Sequence, residues 1–181
     1  MRELSLNVLD IAQNSISAKA SLIEIEVSQS TENKELLIGI YDNGKGMTEE
    51  QVQSVIDPFF TTRTTRKVGL GIPLFKMAAE MTGGSLEIES EVGVGTKVRA
   101  TFKTDHVDFT PIGDLTSTVV ILITMNLQTD FLYRRSLDEK EFTVDTRQLK
   151  EILGDVPLNE PSITSWLTDY INENTKQLTE V

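Results

Sequence analysis

The sequence predicts an α+β chain: a two-layer α/β sandwich, with a mixed sheet and helices on one face, followed by a small acidic α+β extension. Three observations lead there. Over the first hundred residues the periodicities run helix, strand, strand, helix, polar loop, helix, strand, strand. Three of the four strands alternate apolar with charged or polar positions, so one face of the sheet is built to be buried. The charge balance then shifts. Residues 1–104 carry 11 Lys and Arg against 14 Asp and Glu, whereas residues 105–181 carry 6 against 14. A boundary is therefore expected near residue 104, with residues 1–104 as one domain and 105–181 as the extension.

Residues 3–18 read as a helix with two unlike faces. Leu4, Val8, Ile11, Ala12 and Ile16 share one side, and Asn7, Asp10, Asn14 and Ser17 gather on the other. A solvated outer face explains such a stripe, but helix surfaces are more often built from Lys, Glu and Gln. Asp10 and Asn14, at i and i+4, can converge on one bound group.

Leu22–Val27 alternates outward Glu24 and Glu26 with inward Ile23, Ile25 and Val27. A turn leads to a second strand, Leu36–Tyr41, that ends in Asp42-Asn43-Gly44-Lys45-Gly46-Met47. This makes Asp42 an acceptor at the mouth of a buried strand, and the two glycines let a ligand approach the backbone. Thr48, with Glu50 and Gln51 beyond it, starts a short helix that Asp57-Pro58 stops.

Residues 59–68 are polar, basic and hydroxyl-rich, and Arg63, Arg66 and Lys67 suit an anion. Gly69-Leu70-Gly71 then opens a helix through Met81, presenting free N–H groups and a positive dipole end to a phosphate. Gly83-Gly84 ends it. Leu86–Glu89 and Lys97–Lys103 form an alternating pair across Gly93-Val94-Gly95-Thr96, which if antiparallel sets Glu87, Glu89 and Glu91 against Lys97, Arg99 and Lys103.

In the extension, Asp114 caps a segment in which Val119–Ile123 fits either a helix or a buried strand. Short strands are expected at Asp130–Tyr133 and Glu141–Val144, then helices at Thr146–Leu153 and Ser162–Leu178. Trp166 is expected in the core.

The totals exclude several functions. There is no Cys, one His, and no apolar run or leader of membrane-crossing or secretory type, so thiol chemistry and a His-built metal site are not expected. A net charge of −11 opposes nonspecific contact with nucleic acid or an anionic membrane. The expected location is cytoplasmic.

Four motifs, in order, resemble the GHKL superfamily of ATP-binding domains shared by DNA gyrase, the large heat-shock chaperone, histidine kinases and the MutL repair proteins. Leu9-Asp10-Ile11-Ala12-Gln13-Asn14-Ser15 is similar to the N box, and Asp42–Met47 to the first glycine box. Asp57-Pro58-Phe59-Phe60-Thr61-Thr62-Arg63 resembles the F-box stretch of histidine kinases, and Gly69-Leu70-Gly71-Ile72 the second glycine box. The resemblance covers about residues 3–103. It implies the histidine-kinase-like (Bergerat) fold, ATP as ligand and Mg²⁺ as cofactor.

The resemblance also implies roles for individual residues. Asp42 accepts the adenine amino group with support from Thr96, and Asn14 coordinates Mg²⁺. Gly44, Gly46 and Met47 line the nucleotide. Gly69, Leu70 and Gly71, with Arg63, Arg66 and Lys67, face the phosphates. Asp10 stands where several relatives carry a Glu general base. That shorter acid and a short lid predict slow turnover.

The N box begins within ten residues of Met1, and the one His, His106, lies in no phosphoacceptor motif. The expectation is therefore a stand-alone form without an upstream phosphoacceptor domain. The functions implied are a regulatory protein kinase or slow ATPase acting on a protein partner, a nucleotide-operated interaction switch, or a kinase subunit whose phosphoacceptor lies on another chain.

Overall fold

A computed structural model describes residues 3–57 and 70–180 of the chain. The elements are α1 (Leu4–Ser17), β1 (Leu22–Ser30), β2 (Glu35–Asp42), α2 (Glu49–Ile56), α3 (Gly71–Met81), β3 (Ser85–Glu91), β4 (Gly95–Lys103), α4 (Leu115–Met125), β5 (Asp130–Leu137), β6 (Lys140–Asp145), α5 (Thr146–Leu153) and α6 (Pro161–Thr179). The α-β-β-α-α-β-β order read from the first hundred residues is the order found.

The strands form one six-stranded sheet in the order β3-β4-β2-β1-β5-β6. Every pairing is antiparallel except that of β1 with β5, so the sheet is mixed, as expected. Its inner face carries lateral rows of buried apolar side chains. One row runs Val98, Ile40, Ile25, Tyr133, Val144 across five strands. Such rows fix the register, because a one-residue slip would turn each of them out to water. The outer face is charged, and Glu87 and Glu89 lie opposite Arg99 and Lys97. Lys103 pairs instead with Glu35 on β2, at 2.9 Å.

Helix α1 packs against α3 and α4, and α4 against α6. This arrangement divides the polar stripe of α1. Asn7 is 3% exposed, whereas Asn14 and Ser17 lie at the surface. The N-terminal turn of α1 has no side-chain cap; Leu4 N–H donates to Pro111 O and Ser5 N–H to Ile112 O. Carbonyls from beyond residue 104 thus satisfy donors that a helix start leaves open.

The expected boundary near residue 104 falls in the loop between β4 and α4. Residues on both sides of it share one sheet and one core. The segment Val119–Ile123 is helical, within α4, and Asp114 caps that helix by accepting from Ser117 N–H at 3.0 Å. Trp166 corrects the expectation that it belongs to the core. It is 48% exposed and stacks on Tyr170 at 5.2 Å, while Leu167 and Ile171 bury the inner side of α6. Two residues next to each other on a helix lie about 100° apart, and here Leu167 takes the inward position.

Thr146, fully buried at the start of α5, holds β5 and α5 together. It accepts from Phe131 N–H at 2.9 Å and donates to Asp130 at 3.0 Å. Thr146→Val keeps the shape and removes both bonds, which leaves a buried N–H unpaired. The expected cost is about 1–3 kcal/mol, read as a lower urea midpoint with an unchanged slope.

Candidate nucleotide site

The site is built where the inner face of the sheet changes from apolar to polar. One row beyond the apolar one, Ser90, Thr96 and Asp42 are successive cross-strand neighbours on β3, β4 and β2. Strand alternation directs all three toward the helix layer. Tyr41, one residue earlier, points to the outer face and donates to Glu26 at 3.0 Å. Burial, and after it Glu26, pushes the Tyr41 phenol up to about 12.

Two donors hold Asp42. The Ser15 hydroxyl, from α1, donates to Oδ2 at 2.5 Å, and Gly44 N–H donates to Oδ1 at 2.9 Å. The glycine loop that follows is fastened on three sides. Asn43 accepts from the N–H groups of Ser21 and Leu22 at 2.8 and 3.0 Å. Lys45 N–H donates to Ala18 O at 2.9 Å, and Met47 N–H donates to Ser90 Oγ at 2.8 Å. Gly46 has φ +72°, and a Cβ there would lie 1.9 Å from Glu91 O. Only glycine fits that position.

Midway along α1, the start of α3 comes close to Asp10. A Cβ on Gly71 would lie 3.0 Å from the Asp10 Cβ, so α3 presents its N-terminus beside that carboxyl-bearing side chain. Asp10, Asn14 and Ser15 span about 7.5 Å of helix rise. α1 therefore forms one wall, running from Asp42 at one end to the first turn of α3 at the other. Leu70, just before that turn, is 55% exposed.

The structure thus brings together Asp42, Thr96, Gly44, Gly46 and Met47 at one end, with Asp10, Leu70 and Gly71 at the other. Asn14 is exposed on the wall between them. Arg63, Arg66, Lys67 and Gly69 lie outside the described residues. Ser15 and Ser90 were not singled out from the sequence. Ser15 lies within the stretch similar to the N box, and Ser90 is a polar residue at the inward phase of Leu86 and Ile88. That phase was the signal that could have found it.

A profile of the family described as histidine kinase-, DNA gyrase B-, and HSP90-like ATPase matches residues 1–106. The chain belongs to that family. Sporulation kinase D of Bacillus subtilis (strain 168) is 33% identical over 94 residues, which are 52% of this chain and 18% of that protein. Sensor protein SrrB of Staphylococcus aureus (strain NCTC 8325 / PS 47) is 38% identical over 78 residues, 40% of this chain and 13% of that protein. The chain therefore matches less than a fifth of either protein's length.

Among solved structures, the Aquifex aeolicus MutL ATPase domain complexed with ADP has a TM-score of 0.50 at 16% identity. It covers 82% of this chain and 68% of its own. The N-terminal domain of a DNA repair protein has a TM-score of 0.52 at 16% identity, covering 80% and 52%. At such identity the likeness is one of fold. It extends beyond the 106 residues of the profile, so part of the segment after residue 106 shares the fold of those two structures. Among the described residues, no helix is long and apolar enough to cross a membrane.

Proposed function

We propose that the chain binds ATP with Mg²⁺ and uses it as a regulatory protein kinase or slow ATPase acting on a protein partner. The observation that carries this reading is the Asp42 carboxylate, fixed from α1 and from the glycine loop at the polar rim of the sheet. A carboxylate has about four lone-pair sites, of which Ser15 and Gly44 take two. The remaining capacity, with Thr96 alongside, fits the amino edge of adenine and opposes the carbonyl of guanine. At the far end, the α3 N-terminus beside Asp10 suits a phosphate chain by dipole and free N–H groups.

Among the described residues, no group of three His, Cys, Asp or Glu side chains is placed to hold a metal ion. A Mg²⁺ ion here would take the Asn14 amide oxygen and draw its other ligands from phosphate oxygens and water, as that hard cation commonly does. Bound there, it would offset phosphate charge during transfer. Asp10 polarises the incoming nucleophile, a water or a partner's side chain. The protein relatives named above are kinases and sensors, which supports phosphotransfer to a protein.

Slow turnover is expected, well below the roughly 10 s⁻¹ typical of enzymes. Asp10→Asn lowers it further, by up to about 10²-fold, with ATP affinity retained. A rapid steady-state rate in the wild type would contradict this.

The interaction switch is a second reading, favoured by one observation: β5 joins the acidic second segment directly to β1, beside the glycine loop. Incubation with radiolabelled ATP and candidate partners separates the two. Label on a partner supports the kinase; nucleotide-dependent association without label supports the switch.

A further inference from the structure

We propose that Ser90 determines base specificity by fixing Thr96 as a hydrogen-bond acceptor toward the bound base; this rests on the nucleotide reading above. Ser90 Oγ sits among three polar groups. Met47 N–H donates to it at 2.8 Å, Gly95 O lies 3.1 Å away as an acceptor, and Thr96 Oγ1 lies at 2.8 Å. A serine hydroxyl has one proton to give and two lone pairs to receive.

Met47 N–H can only donate, so it takes one lone pair. Gly95 O can only accept, so it takes the proton. Thr96 is left with the second lone pair, and its own hydroxyl proton must point at Ser90. The alternative, Ser90 donating to Thr96, leaves one Ser90 lone pair empty and forfeits the bond to Gly95 O. The arrangement with every valence used is favoured in a partly buried place.

The consequence lies on the pocket side of Thr96. With its proton committed to Ser90, Thr96 Oγ1 has only lone pairs to offer. Beside it stands Asp42, whose carboxylate also only accepts when ionised. The corner where these two meet then has no donor, so it rewards an exocyclic amino group and rejects a carbonyl. Ser90 touches no base in this scheme. It is a positioning residue that acts through Thr96, and its backbone bond to Met47 sets the same contact against the end of the glycine loop.

The test is binding of ATP and of inosine triphosphate, which carries a carbonyl in place of the adenine amino group. Both are titrated by calorimetry into the wild type, Ser90→Ala, Ser90→Thr, Thr96→Val and the double variant Ser90→Ala with Thr96→Val. Ser90→Ala frees the Thr96 hydroxyl to turn and donate. Its preference for ATP over the inosine nucleotide should fall about tenfold, the scale of one neutral hydrogen bond.

Ser90→Thr, which keeps the hydroxyl, should restore the wild-type ratio. In the double variant, removing Ser90 should change the ratio no further than Thr96→Val alone, since the effect passes through that hydroxyl. Equal weakening of both nucleotides in Ser90→Ala would show a structural role only and overturn the proposal, as would an unchanged ratio. A wild type that ignores ATP, or binds it independently of Asp42, would instead overturn the nucleotide reading.

Discussion

Asp42→Asn is expected to weaken ATP binding about 10- to 100-fold, the scale of losing a hydrogen bond to a charged acceptor. The effect exceeds one contact, because the carboxylate does two jobs. It receives the Ser15 hydroxyl and Gly44 N–H, which set α1 and the glycine loop against β2. It also supplies the acceptor for the base. An amide has one oxygen, enough for only one of those two donors, and its NH₂ group stands where the other donor and the base both need a lone pair. ATP should lose affinity while GTP loses little or gains, since its carbonyl now meets a donor. Calorimetry of ATP, ADP and GTP, with and without Mg²⁺, measures this directly. Equal ATP affinity in wild type and variant would remove the basis for placing adenine at Asp42.

Truncation after residue 104 is expected to abolish cooperative folding. β1 pairs with β5 over eight residues, Leu22–Gln29 against Asp130–Leu137, so the shortened chain gains a long exposed edge. The first donors of α1 lose the carbonyls of Pro111 and Ile112. The apolar surfaces of β1 and α1 lose the cover of Leu115, Val119, Leu122, Ile123, Phe131 and Tyr133, each at most 1% exposed in the intact chain. Exposing even four large side chains costs about 6–12 kcal/mol at 1.5–3 kcal/mol each, against the roughly 5–15 kcal/mol that holds a domain folded. Urea unfolding of the two chains, followed by circular dichroism, checks it. A sharp transition and intact ATP affinity in residues 1–104 would make the second segment a separable appendage.

Much of this was legible because local chemistry and tertiary structure agree. The alternation in β1, β3 and β4 left one solution for which face is buried. The capping box at Thr48 and Gln51, the cap at Asp114 and the glycines around α3 marked element ends through backbone constraints that act within a few residues. Asp42 could be picked out because a carboxylate ending an apolar strand, followed by two glycines, already constrains what can approach it.

The rest depended on partners distant along the chain. Ser15 is 27 residues from Asp42 and Ser90 is 43 from Met47, and their meeting is a matter of register and helix packing. The burial of Asn7 and the exposure of Trp166 have the same cause. A helical wheel gives the angle between positions but not which flank another helix will cover, and α4 arrives from a hundred residues away.

By itself, then, the sequence determined the elements of the first hundred residues, the inward faces of β1, β3 and β4 and the identity of the carboxylate at the strand end, since periodicity and backbone freedom are local properties. Only the tertiary structure decided that one sheet crosses residue 104, that Ser90, Thr96 and Asp42 stand side by side, and that α1 is held at its start by carbonyls of the second segment. Those outcomes come from pairing and burial between segments far apart in the chain, which no short window of residues contains.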